Sequence, residues 1–429
     1  MSTNQPEGTI RRVLGVPRRR RSSESAQPKI DNKAVEFVLR VGRALHQYGT
    51  PAHRLEEVLS GMACRFGLEA HFFSTPTSIM AAFGPLGDQR SFLVRVEPGE
   101  VNLGQMADVD EIVTRVLAGE LSTAKGLALI EEVERAPERY PPWLMTVCYV
   151  LSSGAAGIIF GGALREMWIS AVAGLGIGLL SLVAVKFATV NRIFVALSAF
   201  IASFASGALA VAFDGASVFI PMVAGLIVLL PGLTLTTALT ELATRNLAAG
   251  AARLTLALMI LLEMAFGVAV GLRLAAMLFG EPPQLTSLGM SFGVEAVALV
   301  VASVAFTVLL RARFSDVGWI LCAAALAYGG TRQGALWLGP EVGVFIAALV
   351  VGVASNAFAR FFERPASIVM VPGILLLVPG SVGFRSVSRL LENDVVGGME
   401  TAFLMTLVAA SLVAGLLVAN LMMPPRKAL

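Results

Sequence analysis

From Trp143 onward the chain alternates long apolar runs with short polar breaks, at a spacing that suits membrane helices of about 20 residues each. The runs predict ten spans: 143–164, 166–185, 193–213, 217–230 continuing through a break, 253–278, 291–311, 314–330, 341–359, 366–383 and 399–422. The stretch before them has another pattern. Asp31 is a helix cap for a segment reaching His46 and stopped by Gly49, and a second helix over 51–65 stops before Gly67. Three β-like runs follow at 70–74, 77–83 and 91–96, split by Pro76 and by the turn Gly84-Pro85-Leu86-Gly87-Asp88. Helices around 108–117 and 122–135 complete a small α+β domain spanning 29–141, long enough to bury its own core.

Two of the apolar runs carry the same interruption. Met222 to Gly232 overlays Met370 to Gly380 with six of eleven positions identical, at an offset of 148. The same offset carries each other helix of 143–278 onto a helix of 291–422, so the membrane part reads as two five-helix repeats, 142–285 and 286–429. Five is odd, so the second repeat enters from the opposite face, which gives an inverted-repeat architecture. Lys and Arg at the helix ends split ten to five in favour of the side that carries the α+β domain. The expected placement is therefore the cell (inner or plasma) membrane with N- and C-termini cytoplasmic.

Composition sharpens this. The 429 residues are 56% hydrophobic and 15% charged, and the mean hydropathy is +0.75. Residues 1–141 hold 18 of the 33 basic and 18 of the 30 acidic side chains, so the domain is near neutral and the net +3 lies in the membrane part. No nucleic-acid partner follows. Residues 1–28, with Arg11, Arg12 and Arg18 to Arg21, read as a disordered basic head without the apolar core of a signal peptide. The three cysteines are far apart and the histidines (His46, His53 and His71) all precede the first span, so no disulfide framework, metal site or cofactor site is expected. There is no phosphate-binding G-x-x-x-x-G-K-[ST] loop, and Gly289-Met290-Ser291-Phe292-Gly293 lacks the setting of a hydrolase elbow, so no catalytic residue is assigned.

The paired Pro-Gly breaks carry the main chemical signal. A membrane helix broken at proline exposes backbone groups that need protein, water or ligand partners. Pro231 and Gly232 are followed by Thr234, Thr236 and Thr237, and Pro379 and Gly380 by Ser381. Half-helix ends with hydroxyls suit a small zwitterion near mid-membrane, while a proline kink with threonines bonded back to the helix is the plainer account. Glu263, central in the fifth span, is costly if charged, so it faces an aqueous cavity, titrates, or is a neutral carboxyl bonded to a neighbouring helix. Glu295 is a weaker proton-coupling candidate, and Asn356 reads as an interface or capping group. In the α+β domain, Gly49, Thr50, His53, Arg54 and Glu56 form a polar cluster, which a helix start with exposed charges explains as well.

Together these features resemble the threonine/serine exporter family. The resemblance rests on G-[TA]-x-x-x-R-x-E at Gly49, Thr50, Arg54 and Glu56, then Gly225, Pro231, Gly232 and Thr234, then Pro372, Gly373, Pro379 and Gly380, in that order over about 34–423. It implies export of threonine and serine driven by the proton motive force, without enzymatic activity; self-association is left open. Some relatives are split into two subunits and linked to dicarboxylates such as succinate, so a dicarboxylate exporter is a second reading. A membrane-tethered sensor or enzyme domain is a third.

Overall fold

The computed structural model describes residues 31–213, 216–281, 289–377, 384, 386, 389 and 394–425. Its N-terminal part holds four helices and one sheet: α1 (Asn32–Gln47), α2 (Ala52–Arg65), β1 (Ala70–Thr75), β2 (Ser78–Phe83), β3 (Arg90–Arg95), α3 (Leu103–Leu117) and α4 (Thr123–Arg135). Asp31 caps α1 by accepting from the Lys33 N–H, and α1 turns Phe37, Val38, Val41 and Leu45 inward. The strands form an antiparallel meander with β2 central, Ala70 opposite Phe83 and Phe83 opposite Arg90. Ile79, Ala81 and Phe83 alternate onto the face that meets α1 and α2, giving one apolar core. The expected 108–117 helix starts earlier, at Leu103. Asn102 accepts from Gln105, and the Leu103 and Gly104 N–H groups donate to Leu310 and Arg311 carbonyls at 3.0 and 3.1 Å. The Asn102 cap is a local signal of the earlier start, but the carbonyls that take up the next two N–H groups lie about 200 residues away in sequence.

The chain is a multi-pass membrane protein. Its later elements are α5 (Pro142–Ile159), α6 (Leu164–Lys186), α7 (Ala188–Arg192), α8 (Phe194–Ala212), α9 (Phe219–Gly225), α10 (Gly232–Ala243), α11 (Leu247–Phe279), α12 (Phe292–Leu309), α13 (Val317–Leu338), α14 (Pro340–Phe362), α15 (Ser367–Leu377) and α16 (Val395–Met422). Among the described residues seven helices are long and apolar enough to cross a bilayer: α5, α6, α8, α11, α12, α14 and α16. The other three expected spans differ. The run at 217–230 resolves into the seven-residue α9 and, past Pro231, the twelve-residue α10. The run at 366–383 is described only as the eleven-residue α15 with Pro372 inside, so Pro379, Gly380 and Ser381 lie outside the described residues. The run at 314–330 becomes α13, 22 residues long and interrupted in apolarity by Arg332 and Gln333.

Two close helix contacts recur at the 148-residue offset. A Cβ on Gly267 of α11 would stand 2.2 Å from the Ala196 carbonyl of α8, and one on Gly415 of α16 would stand 2.5 Å from the Phe345 carbonyl of α14. The two glycines are 148 positions apart, and each lets a long helix lie against the backbone of its neighbour. Buried acids also tie the start of α6 and the residue before α13 to the segments that lead into α9 and α15. Glu166 accepts from the Ser217 N–H at 2.9 Å, and Asp316 pairs with Arg364 at 2.7 Å.

The N-terminal part is fastened to the loop between α12 and α13. Besides the two backbone bonds, the Tyr140 hydroxyl donates to the Ala312 carbonyl at 2.7 Å. Arg313 pairs with Asp108 at 2.6 Å and Arg311 with Glu138 at 2.9 Å.

Candidate functional site

The end of α1 sets the site. Gly49 adopts φ +96°, a left-handed conformation that an L side chain takes at a cost of about 1–2 kcal/mol. An added Cβ would also sit 3.1 Å from Val101. Gly49→Ala is therefore expected to destabilise the fold by about 1–2 kcal/mol, read as a lower midpoint in thermal unfolding of the purified protein. The turn sends Thr50 and Pro51 toward the membrane helices, and Pro51, extended at φ −61°, ψ 148°, starts α2. The first turn of α2 therefore faces α10.

Between them lies a cavity of about 200 Å³. Thr50, His53 and Arg54 supply one wall, Thr236, Thr237 and Thr240 of α10 the facing wall, and Asn356 and Asn420, near the ends of α14 and α16, the third. The N-terminal edge of α15, at Ser367, and its residues Met370 and Ile374 complete it. The sequence motif from the α+β part and the threonine run of the broken helix thus meet, although nearly 190 residues separate them.

Four buried polar atoms of the lining have no hydrogen-bond partner among the described residues: Thr50 Oγ1, His53 Nδ1, Thr236 Oγ1 and Asn356 Oδ1. A buried unpaired polar group costs about 1–3 kcal/mol, so four around one space mark a place for a polar ligand or water. Burial, with Arg54 adding to it, pushes the His53 imidazole down to about 4, which leaves the ring neutral at neutral pH. Arg54 donates to Glu57 at 2.6 Å. The Asn356 amide donates to Asn420 Oδ1 and to the Met423 carbonyl, each at 2.8 Å, so its oxygen is fixed in place.

The remaining predicted residues are elsewhere. Glu56 accepts from the Ser74 N–H at 2.6 Å and holds α2 to β1; burial raises its carboxyl. Pro231, Gly232 and Thr234 start α10 outside the cavity lining. The described arms of the two breaks meet instead at a second, apolar cavity of about 60 Å³, where Ile227 and Leu230 face Leu375 and Leu376. Glu263 is half-buried on α11 and has no ion-pair or hydrogen-bond partner among the described residues. Glu295 on α12 accepts from Tyr328 and pairs with Arg332, apart from the cavity.

Asn420 and Glu241 escape the sequence reading, and Asn356, expected as an interface or capping group, lines the cavity. Asn356 and Asn420 are amides in mainly apolar helices, and such intramembrane polar groups are the signal that could have raised Asn420. Glu241, at the end of the threonine run, is fully buried; its carboxylate accepts from the Ala52 N–H at 2.8 Å and pairs with Arg253 at 3.2 Å.

The family model described as "Putative threonine/serine exporter" matches residues 36–275, and one described as "Threonine/Serine exporter, ThrE" matches residues 295–422. Relatives include the pheromone-regulated membrane protein 10 of Saccharomyces cerevisiae (strain YJM789), 27% identical over 85% of this chain and 48% of that protein. The protein of the same name from Candida albicans (strain WO-1) is 25% identical over 85% of this chain and 34% of its own length. That from Kluyveromyces lactis is 25% identical over 91% and 43%. The chain thus spans between about a third and a half of these relatives' length. No solved structure matches. With both family models matched along it, the chain belongs to the threonine/serine exporter family.

Proposed function

We propose that this chain is a secondary-active exporter of threonine and serine, driven by the proton motive force, whose substrate occupies the cavity under the N-terminal part. The observation that carries the reading is the set of four unpartnered polar atoms, drawn from α10, α14 and the start of α2, around one small space. Its volume of about 200 Å³ is below the roughly 300–1,000 Å³ of sites for drug-sized molecules and suits a small solute. Asn356 Oδ1 can only accept, which fits an ammonium or hydroxyl donor; the threonine hydroxyls can donate to a carboxylate. This puts the substrate at the helix ends beneath the N-terminal part, beside the threonines of the first break.

The wider architecture proposed is a cytoplasmic α+β domain over 29–141, followed by ten helices in two inverted five-helix repeats, with both termini cytoplasmic in the cell membrane. The paired glycines Gly267 and Gly415 support the repeat, and Arg311 and Arg313, held by acids of the α+β part, support the sidedness. Glu263 is proposed as the titrating carboxyl, because an acid without a described partner in a membrane helix is costly when charged. A dicarboxylate is the weaker substrate: the lining has one guanidinium, Arg54, already paired with Glu57. A free-standing sensor domain is also weaker, since the wall built by Thr50 and His53 is closed by membrane helices.

The test is efflux of threonine and serine from dipeptide-loaded cells lacking their own exporters, with and without a protonophore. Expression should speed efflux, and the protonophore should abolish the gain; no gain with the protein present in the membrane would sink the reading. Glu263→Gln is expected to leave substrate binding intact and cut proton-driven efflux at least tenfold. Undiminished efflux would remove Glu263 from the coupling step.

A further inference from the structure

The N-terminal part is held to the two halves of the membrane region in different ways. Toward the second half it is fastened at the 310–313 loop by two backbone bonds, the Tyr140 bond and several ion pairs. Toward α10 of the first half a buried carboxylate provides a polar attachment. Glu241 accepts the N–H of Ala52, the first residue of α2, and Arg253 of α11 pairs with the same carboxylate. Ala52 sits between Pro51 and His53, both on the cavity wall, and Glu241 directly follows Thr240 on the facing wall. The contact therefore pins the two walls together.

We propose that the Ala52–Glu241–Arg253 contact is the latch that closes this cavity on its cytoplasmic side, and that it opens when α10 moves away from α2 as the two halves shift. Glu241 is thus a positioning residue, acting on access to the site and not on the substrate itself; the inference rests on the cavity being the transport site. A helix N-terminus and a carboxylate attract, and burial strengthens the attraction, so the closed state is favoured until another interaction replaces it. Arg253 keeps the buried carboxylate paired while α2 is engaged.

The latch is tested by thiol labelling of the full chain in membranes, with Cys64, Cys148 and Cys322 replaced by serine and Thr237→Cys as the reporter on the cavity wall. A membrane-impermeant maleimide is supplied on the side of the α+β domain, without substrate. Glu241→Ala is expected to raise the labelling rate at least tenfold. Glu241→Gln, which has the same size and keeps an acceptor for Ala52 but loses the charge facing Arg253, should give an intermediate rate. A second reporter on the exposed surface, Glu120→Cys, should label equally in all backgrounds. Equal rates at Thr237→Cys in the parent and both variants would overturn the latch; if Glu241→Ala does not fold, Glu241→Gln against the parent decides alone. Because no transport is read, opening in a protein that exports neither amino acid would leave the latch standing and sink the exporter reading instead.

Discussion

Asn356→Leu is expected to weaken threonine binding to the purified protein by about tenfold or more, measured by titration calorimetry. The leucine removes a lining oxygen that can only accept and that has no partner among the described residues, and it leaves Asn420 Oδ1 and the Met423 carbonyl without the amide that now donates to both at 2.8 Å. Losing a buried hydrogen-bond partner costs about 1–3 kcal/mol, and each 1.4 kcal/mol is about a factor of ten in affinity. Asn356→Asp separates the two effects. It keeps the acceptor toward the ligand and loses the donor toward α16, so binding should survive better than in the leucine variant while thermal stability falls. Unchanged affinity in Asn356→Leu would mean that the ligand is not held at this wall.

Arg364→Ala should strongly destabilise the fold. Arg364 grips both carboxylate oxygens of Asp316, at 2.7 and 3.0 Å, and Asp316 is only 1% exposed. Removing the guanidinium leaves a buried, uncompensated carboxylate, which costs about 3 kcal/mol; the value is taken at the low end because the arginine is itself partly open to solvent. The midpoint of thermal unfolding in detergent should fall by several degrees. Arg364→Lys keeps the charge but loses the two-pronged geometry and should lie between parent and alanine variant. The same pair joins the start of α13 to the segment before α15, so its loss should also loosen the cavity edge at Ser367.

Much of the secondary structure is legible in the pattern of the chain. The helix from Asp31, the three strands and the seven long apolar helices follow from caps, alternation and run length, all properties of neighbouring residues. Boundaries set by distant groups are not. The early start of α3 depends on carbonyls at Leu310 and Arg311. The fourth apolar run shows its Pro231-Gly232 break in the sequence, but not that its first helical arm already ends at Gly225.

The candidate site divides along the same line. The threonine run and the Gly49-Thr50 cluster stand out as residue types, and the sequence by itself determined that both exist and that a positive φ is available at Gly49. It could not decide between a solvated helix start and a binding wall, since that depends on what packs against it. Only the tertiary structure brought Thr50 and His53 against Thr236 and Asn356, and only it separated Glu263 and Glu295 from them. It also turned Glu241 from the end of a polar run into a buried link between two parts of the molecule. The physical reason is one of range: periodicity, capping and chain stiffness act over a few residues and are written in order. Burial of a polar atom and the identity of its partner are set by segments that meet only after the chain has folded.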